Sequence, residues 1–227
     1  MKKYILMFLC GTMIFSGCGM SNLGKGSLIG SGAGAALGAG IGYLIGKDGK
    51  GAAIGAAIGT AVGGGTGAII GNKMDKKAAE LAALEAAQVQ TVEDANGLTA
   101  IKVTFDSGIL FDFNKSALKP EAKESLNKFA QEMADMSHTN ITIYGHTDNI
   151  GSAAANKKVS DQRANAVAKY LSQKGIAKYR ILAEGLSFDF PVGDNATEEG
   201  RAQNRRVEIY VSADEQMVKE AETGKLN

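Results

Sequence analysis

The sequence predicts a mixed α/β (α+β) fold, a two-layer sandwich of order β-α-β-α-β-β preceded by a glycine-zipper helical hairpin. Three observations carry that prediction. Short segments of alternating apolar and polar residues are separated by longer stretches with apolar residues at spacings of three and four. Glycine recurs every fourth residue through much of the first third of the chain. A strand, a polar loop and a helix follow one another over residues 141–171, and the rest of the folded part is arranged around them.

The chain opens with Lys2-Lys3 and an apolar run from Tyr4 to Phe15, too short to span a bilayer comfortably. Residues 1–17 therefore read as an export signal. Phe15-Ser16-Gly17-Cys18 resembles the lipobox of bacterial lipoproteins, in which the Cys takes a diacylglyceride and becomes the mature N-terminus. The resemblance implies acylation at Cys18; two or three acyl chains would hold the protein to a membrane. Gly19 stands where an inner-membrane retention signal would show Asp, which favours the outer membrane. Cys10 lies within the leader, so no intramolecular disulfide is expected.

Residues 18–72 form the zipper segment. Gly30, Gly34, Gly38, Gly42 and Gly46 are followed, after Lys47-Asp48-Gly49-Lys50, by Gly51, Gly55, Gly59, Gly63, Gly67 and Gly71. This spacing puts the glycines on one helical face, where another backbone can approach closely. Each run of about 21 residues would be roughly 32 Å long as a helix, near the ~30 Å hydrocarbon core. Glycine costs about 1 kcal/mol against Ala in a helix, so tight helix contact or a bilayer has to compensate. Spanning, lying against one leaflet and self-association all satisfy that requirement. Residues 73–92 read as a linker helix, with Lys73, Lys76 and Lys77 near the membrane.

The folded domain is expected over 93–213. Asp94-Ala95-Asn96-Gly97 is a turn signal, with alternation over 98–105 after it and 89–93 available as a hairpin partner. Ile109-Leu110-Phe111 reads as a short strand. Pro120 opens a helix whose stripe is Leu118, Ala122, Leu126, Phe129, Met133 and Met136. Strand 141–145, a helix over 157–173 stopped by Gly175, strand 179–185, a short helix over Thr197–Asn204 and a strand at Val207, Ile209 and Val211 complete the order. The charged residues 214–227 read as a frayed tail.

Within this scheme Asp148 sits in the loop after a buried strand, and Arg163 lies on the following helix. A carboxylate and a guanidinium facing one cleft suit a ligand with an ammonium and a carboxylate on the same carbon. His146 reads as a packed strand-end residue, and His138 falls in a loop. Neither belongs to a set with metal-ligand spacing, so no metal or other cofactor is expected.

The segments Phe111-Asp112-Phe113-Asn114-Lys115-Ser116, Gly145-His146-Thr147-Asp148-Asn149-Ile150-Gly151, Asn156, Ser160 to Ala164, and Gly200-Arg201-Ala202-Gln203-Asn204-Arg205-Arg206-Val207 carry a resemblance. Together they resemble the OmpA-like peptidoglycan-binding domain of OmpA C-terminal regions, peptidoglycan-associated lipoproteins and flagellar stator proteins. The resemblance implies that Asp148 and Arg163 grip meso-diaminopimelate in the stem peptide of the cell wall. It implies auxiliary roles for Asn114, Asn156 and Thr147, and for Arg205 or Arg206, with either arginine able to face the ligand. The implied protein is an outer-membrane lipoprotein with its folded domain in the periplasm.

A formal net charge of +1 and aromatics at 6% argue against a nucleic-acid partner. No Ser or Cys stands in a recognisable nucleophile setting, so the chain is not expected to be an enzyme and no catalytic residue is assigned. The expected function is a non-catalytic tether between outer membrane and peptidoglycan. The alternative is a membrane-inserting or self-associating zipper protein with the wall-binding domain as an accessory.

Overall fold

The computed structural model describes residues 64–112 and 115–226. The leader, Cys18, the zipper up to Gly63 and Asn114 lie outside the described residues. A five-stranded sheet is built from β1 (Ala87–Glu93), β2 (Thr99–Asp106), β3 (Thr139–Gly145), β4 (Ile181–Gly185) and β5 (Arg206–Ala213). Its spatial order is β1-β2-β5-β3-β4. The last strand in sequence is therefore the middle one, antiparallel to both neighbours, while β3 and β4 run parallel. β1 and β2 pair from Ala87↔Phe105 to Glu93↔Thr99 around the Asp94–Gly97 turn. Asp94 holds that turn by accepting from the backbone N–H groups of Asn96 and Leu98.

The helices are α1 (Gly64–Leu81), α2 (Ser107–Leu110), α3 (Pro120–Glu132), α4 (Ala153–Gln173), α5 (Glu198–Asn204) and α6 (Glu215–Glu222). Side chains alternate across a strand, and here the alternation sorts two environments. Ile101, Val103, Phe105, Ile141, Ile143, Val207, Ile209 and Val211 join the helices in one core, to which α3 gives Leu126 and Phe129 and α4 gives Val167 and Leu171. The opposite face holds Tyr144, Tyr210, Val92, Ala100 and Leu186. Mixed with these are the buried polar residues Lys102, Arg206 and Glu208.

Three predicted elements differ in kind, and the strand expected over 179–185 begins at Ile181, after a 3-10 turn at Lys178–Arg180. The expected linker helix over 73–92 is replaced by α1, which begins inside the zipper at Gly64, ends at Leu81, and is followed by β1. Ile70, Met74, Ala78 and Leu81 recur every three or four residues and are buried in the domain core. Lys77 lies in the same interface, with its ammonium 2.5 Å from Glu80 and 2.9 Å from Asp135. Burial opposes its charge, but those two carboxylates outweigh burial and raise its pKa. The charged tail also folds: Asp214 caps α6, and Met217, Val218 and Ala221 are buried. Where the sequence predicts a short strand at Ile109-Leu110-Phe111, the chain makes the single turn α2, because Asp106 caps it at the Gly108 N–H. Phe111 keeps only an isolated bridge to Leu118.

Candidate functional site

β3 ends at Gly145 and β4 at Gly185, and α4 crosses close over both ends. A Cβ at Gly145 would meet the Ser160 carbonyl oxygen, and one at Gly185 would meet the Ser160–Asp161 backbone. Glycine at these two places lets the helix lie against the strand termini. Ser152 caps α4 by accepting from the Ala155 N–H at 3.2 Å. The helix therefore starts four residues earlier than the periodicity predicts. Asn156 falls in its first turn and Arg163 in its third. Asn156, Val159 and Arg163, spaced three and four apart, share one face.

The loop from Gly145 into α4 is tied to β5 by the His146 N–H donating to the Arg206 carbonyl at 2.9 Å, and to the segment after β4 by the Thr147 N–H donating to Ser187 at 2.8 Å. Asp148 is thereby set beside the α5–β5 junction. Its Oδ1 accepts from the Ile150 N–H at 3.0 Å, and its Oδ2 accepts from Arg205 Nη1 at 2.7 Å. Thr147, Asp148, Ile150, Asn156, Val159, Arg163, Glu198, Arg201 and Arg205 line one cavity of about 570 Å³.

Arg163 is only 7% exposed. Its Nε donates to the Lys115 carbonyl at 3.3 Å, and its guanidinium lies 5.2 Å from the centre of the Phe111 ring. Among the described residues no carboxylate lies within ion-pair distance of it. Burial lowers its pKa, the neighbouring Arg205 lowers it further, and Asp148 offsets part of that. A desolvated cation without a paired anion is costly, and the cost falls when an anionic group enters the cavity. Asn156 spends its amide N–H on the Ile150 carbonyl at 3.0 Å, which holds the loop rather than leaving the donor free.

Arg205 and Arg206 part company at the junction. Arg205 faces the cavity; its Nη1 bonds Asp148 and its Nη2 bonds Glu198 Oε1, both at 2.7 Å. The Asp148 bond, followed by Glu198, raises its pKa despite partial burial. Arg206 is buried on the far face of the sheet, its Nε on Glu208 Oε1 at 2.7 Å and its Nη2 on the Phe190 carbonyl at 3.2 Å. It does not line the cavity, so the choice the sequence leaves open falls to Arg205. Glu198 and Arg201 are cavity residues that the motif reading does not single out. The signal was present, since Glu198, Arg201 and Arg205 stand at i, i+3 and i+7 across α5 and its end. Among the described residues no group of three His, Cys, Asp or Glu side chains could hold a metal ion.

Residues 110–205 match the OmpA family model. These residues form an OmpA-family domain. Residues 1–75 match the YMGG-like Gly-zipper model. The OmpA-family domain is similar to outer membrane protein A of Bordetella avium, 46% identical over 112 residues that cover 49% of this chain and 58% of that protein. It is also similar to the outer-membrane lipoprotein YfiB of Pseudomonas aeruginosa, 37% identical over 108 residues that cover 48% and 64%. The chain thus spans roughly six-tenths of the length of each of these two relatives. Its fold is similar to that of the cell wall anchor of the T6SS from Pseudomonas aeruginosa, with TM-score 0.51, 31% identity, and coverage of 62% of this chain and 97% of that one.

Proposed function

We propose that the protein is a non-catalytic tether that binds an uncross-linked meso-diaminopimelate end of the peptidoglycan stem while acyl chains on Cys18 hold it to the outer membrane. The observation that carries this reading is Arg163, a buried guanidinium with no paired carboxylate among the described residues, in the same cavity as Asp148. Asp148 takes the ligand ammonium and Arg163 its carboxylate, ideally through two parallel hydrogen bonds. Thr147 and Asn156 shape the wall between them. Similarity to a protein described as a cell wall anchor, and to an outer-membrane lipoprotein, supports the same placement, with the domain in the periplasm.

Cosedimentation of the full-length protein with purified sacculi tests the reading. Asp148→Ala and Arg163→Ala are expected to abolish binding with an unchanged circular dichroism spectrum, and the parent is expected to bind without releasing soluble muropeptides. Variants that sediment like the parent would remove the site assignment, and released fragments would make the protein a wall enzyme. A second reading, insertion or self-association through the zipper, is favoured by the Gly-zipper match over residues 1–75. Crosslinking of the lipidated protein in vesicles separates the two, since a simple tether stays monomeric there.

A further inference from the structure

We infer that Arg205 is a latch that makes the cavity require a carboxylate as well as an ammonium, and that Glu198 is the positioning residue that keeps the latch in place. This rests on the proposed seat for a diaminopimelate end. In the structure Arg205 holds Asp148 Oδ2 through Nη1 and Glu198 Oε1 through Nη2, each at 2.7 Å. A guanidinium group therefore already occupies the position an incoming ammonium would take on Asp148. Glu198 is itself braced: Arg201 donates to its Oε2 from Nε at 3.1 Å and from Nη2 at 2.7 Å. Arg201 Nη1 in turn is fixed by the Asn195 carbonyl at 2.9 Å.

Charge accounting gives the consequence. Arg163, Arg201 and Arg205 face Asp148 and Glu198 in one cavity, so the protein supplies one more cation than anions there. A ligand that brings only an ammonium must break the Arg205–Asp148 bond and adds a fourth positive group beside Arg163. Nothing is returned to the displaced Nη1 donor. A ligand that also carries a carboxylate on the same carbon gives that donor an acceptor and pairs Arg163 at the same moment. Nη2 stays on Glu198 throughout, so the guanidinium pivots about this bond and remains at the cavity mouth. Selectivity for the zwitterion is thus set by two arginines, Arg163 by attraction and Arg205 by competition.

Calorimetric titration of the full-length protein in detergent tests the latch, using stem peptides that end in meso-diaminopimelate or in lysine, which lacks the distal carboxylate. Arg205→Gln vacates Asp148, so the lysine stem should bind about tenfold tighter than to the parent while the diaminopimelate stem gains nothing, and the preference collapses. Glu198→Gln should weaken the diaminopimelate stem about fivefold and leave the lysine stem as it was. The double variant should match Arg205→Gln for both stems. The latch is overturned if Arg205→Gln binds the lysine stem no better than the parent does, or if Glu198→Gln has the same effect with and without Arg205. Asp148→Ala separates the two levels: parent-like affinity in that variant removes the seat itself, whereas lost affinity with an intact preference in Arg205→Gln removes only the latch.

Discussion

Glu208 is a buried carboxylate with several charged and polar partners, and it lies away from the cavity. Its Oε1 pairs with Lys102 at 2.7 Å and with Arg206 at 2.7 Å, and its Oε2 accepts from the Tyr210 hydroxyl at 2.6 Å. The His146 ring stands 3.6 Å from Oε2, buried, and among the described residues neither nitrogen has a hydrogen-bond partner. Burial lowers the His146 pKa, and Arg206 and Lys102 act in the same direction against the pull of Glu208. Burial alone would raise Glu208, but His146 and the two cations outweigh it and hold the carboxyl far below its usual range. Both shifts make the unfolded chain bind protons before the folded one does. The His146 contribution is complete above its unfolded pKa of about 6.5 and erodes as pH falls below that. The Glu208 contribution is present above about 4.3 and erodes below it. Melting temperature is therefore expected to fall continuously from pH 7 to pH 4. In His146→Gln the slope between pH 6.5 and 5 should flatten; an unchanged slope in that variant would show that the imidazole is not the group responsible. The cavity residues were partly legible in advance. Asp148 and Arg163 stood out by their places after a strand and on a helix, whereas the competing partner of Asp148 was narrowed only to Arg205 or Arg206. Whether Arg205 or Arg206 turns inward depends on where β5 begins, and one residue of phase reverses every side chain.

At the level of elements, α1 shows how one periodicity hid another. Glycine every fourth residue marks the zipper through Gly71, and the same helix carries Ile70, Met74, Ala78 and Leu81 as a stripe for the domain core. The glycine pattern is the more conspicuous of the two, so the stripe is easily read as spacer. Charge density hid α6 in the same way, although Asp214 as cap and Met217, Val218 and Ala221 at helical spacing were both present. The central strands, α3 and α4 were legible because their apolar residues repeat cleanly. One consequence concerns the zipper itself: with Ile70 fully buried against the sheet, the last turns of the second zipper run belong to the folded domain in this structure. Removing residues 24–63 is then expected to leave the melting temperature unchanged. Extending the removal to 71 should lower it, and Ile70→Ala alone should cost about 3 kcal/mol. Equal melting temperatures for the two deletions, followed by circular dichroism, would show that the docked turns add nothing.

Across the whole molecule the two ends of the proposed tether sit on different parts of the sheet. α1 packs against β1, β2, α3 and α6, while the cavity is formed where β3, α4, α5 and β5 converge. A pull entering through residue 64 meets α1 first, then β1, an edge strand whose one strand neighbour among the described residues is β2. The strands that carry the cavity are interior or covered by α4, and they are loaded last. Held by the wall and stretched from its N-terminus, the protein should therefore give way in order. The 18 residues of α1 are about 27 Å long as a helix and about 60 Å when drawn out. Single-molecule stretching should show a first, low-force extension of about 30 Å before the domain ruptures; one all-or-none event would contradict that order. A helix seated on an outer strand would then act as a shock absorber, letting the envelope layers separate by some three nanometres before the grip on the wall is strained.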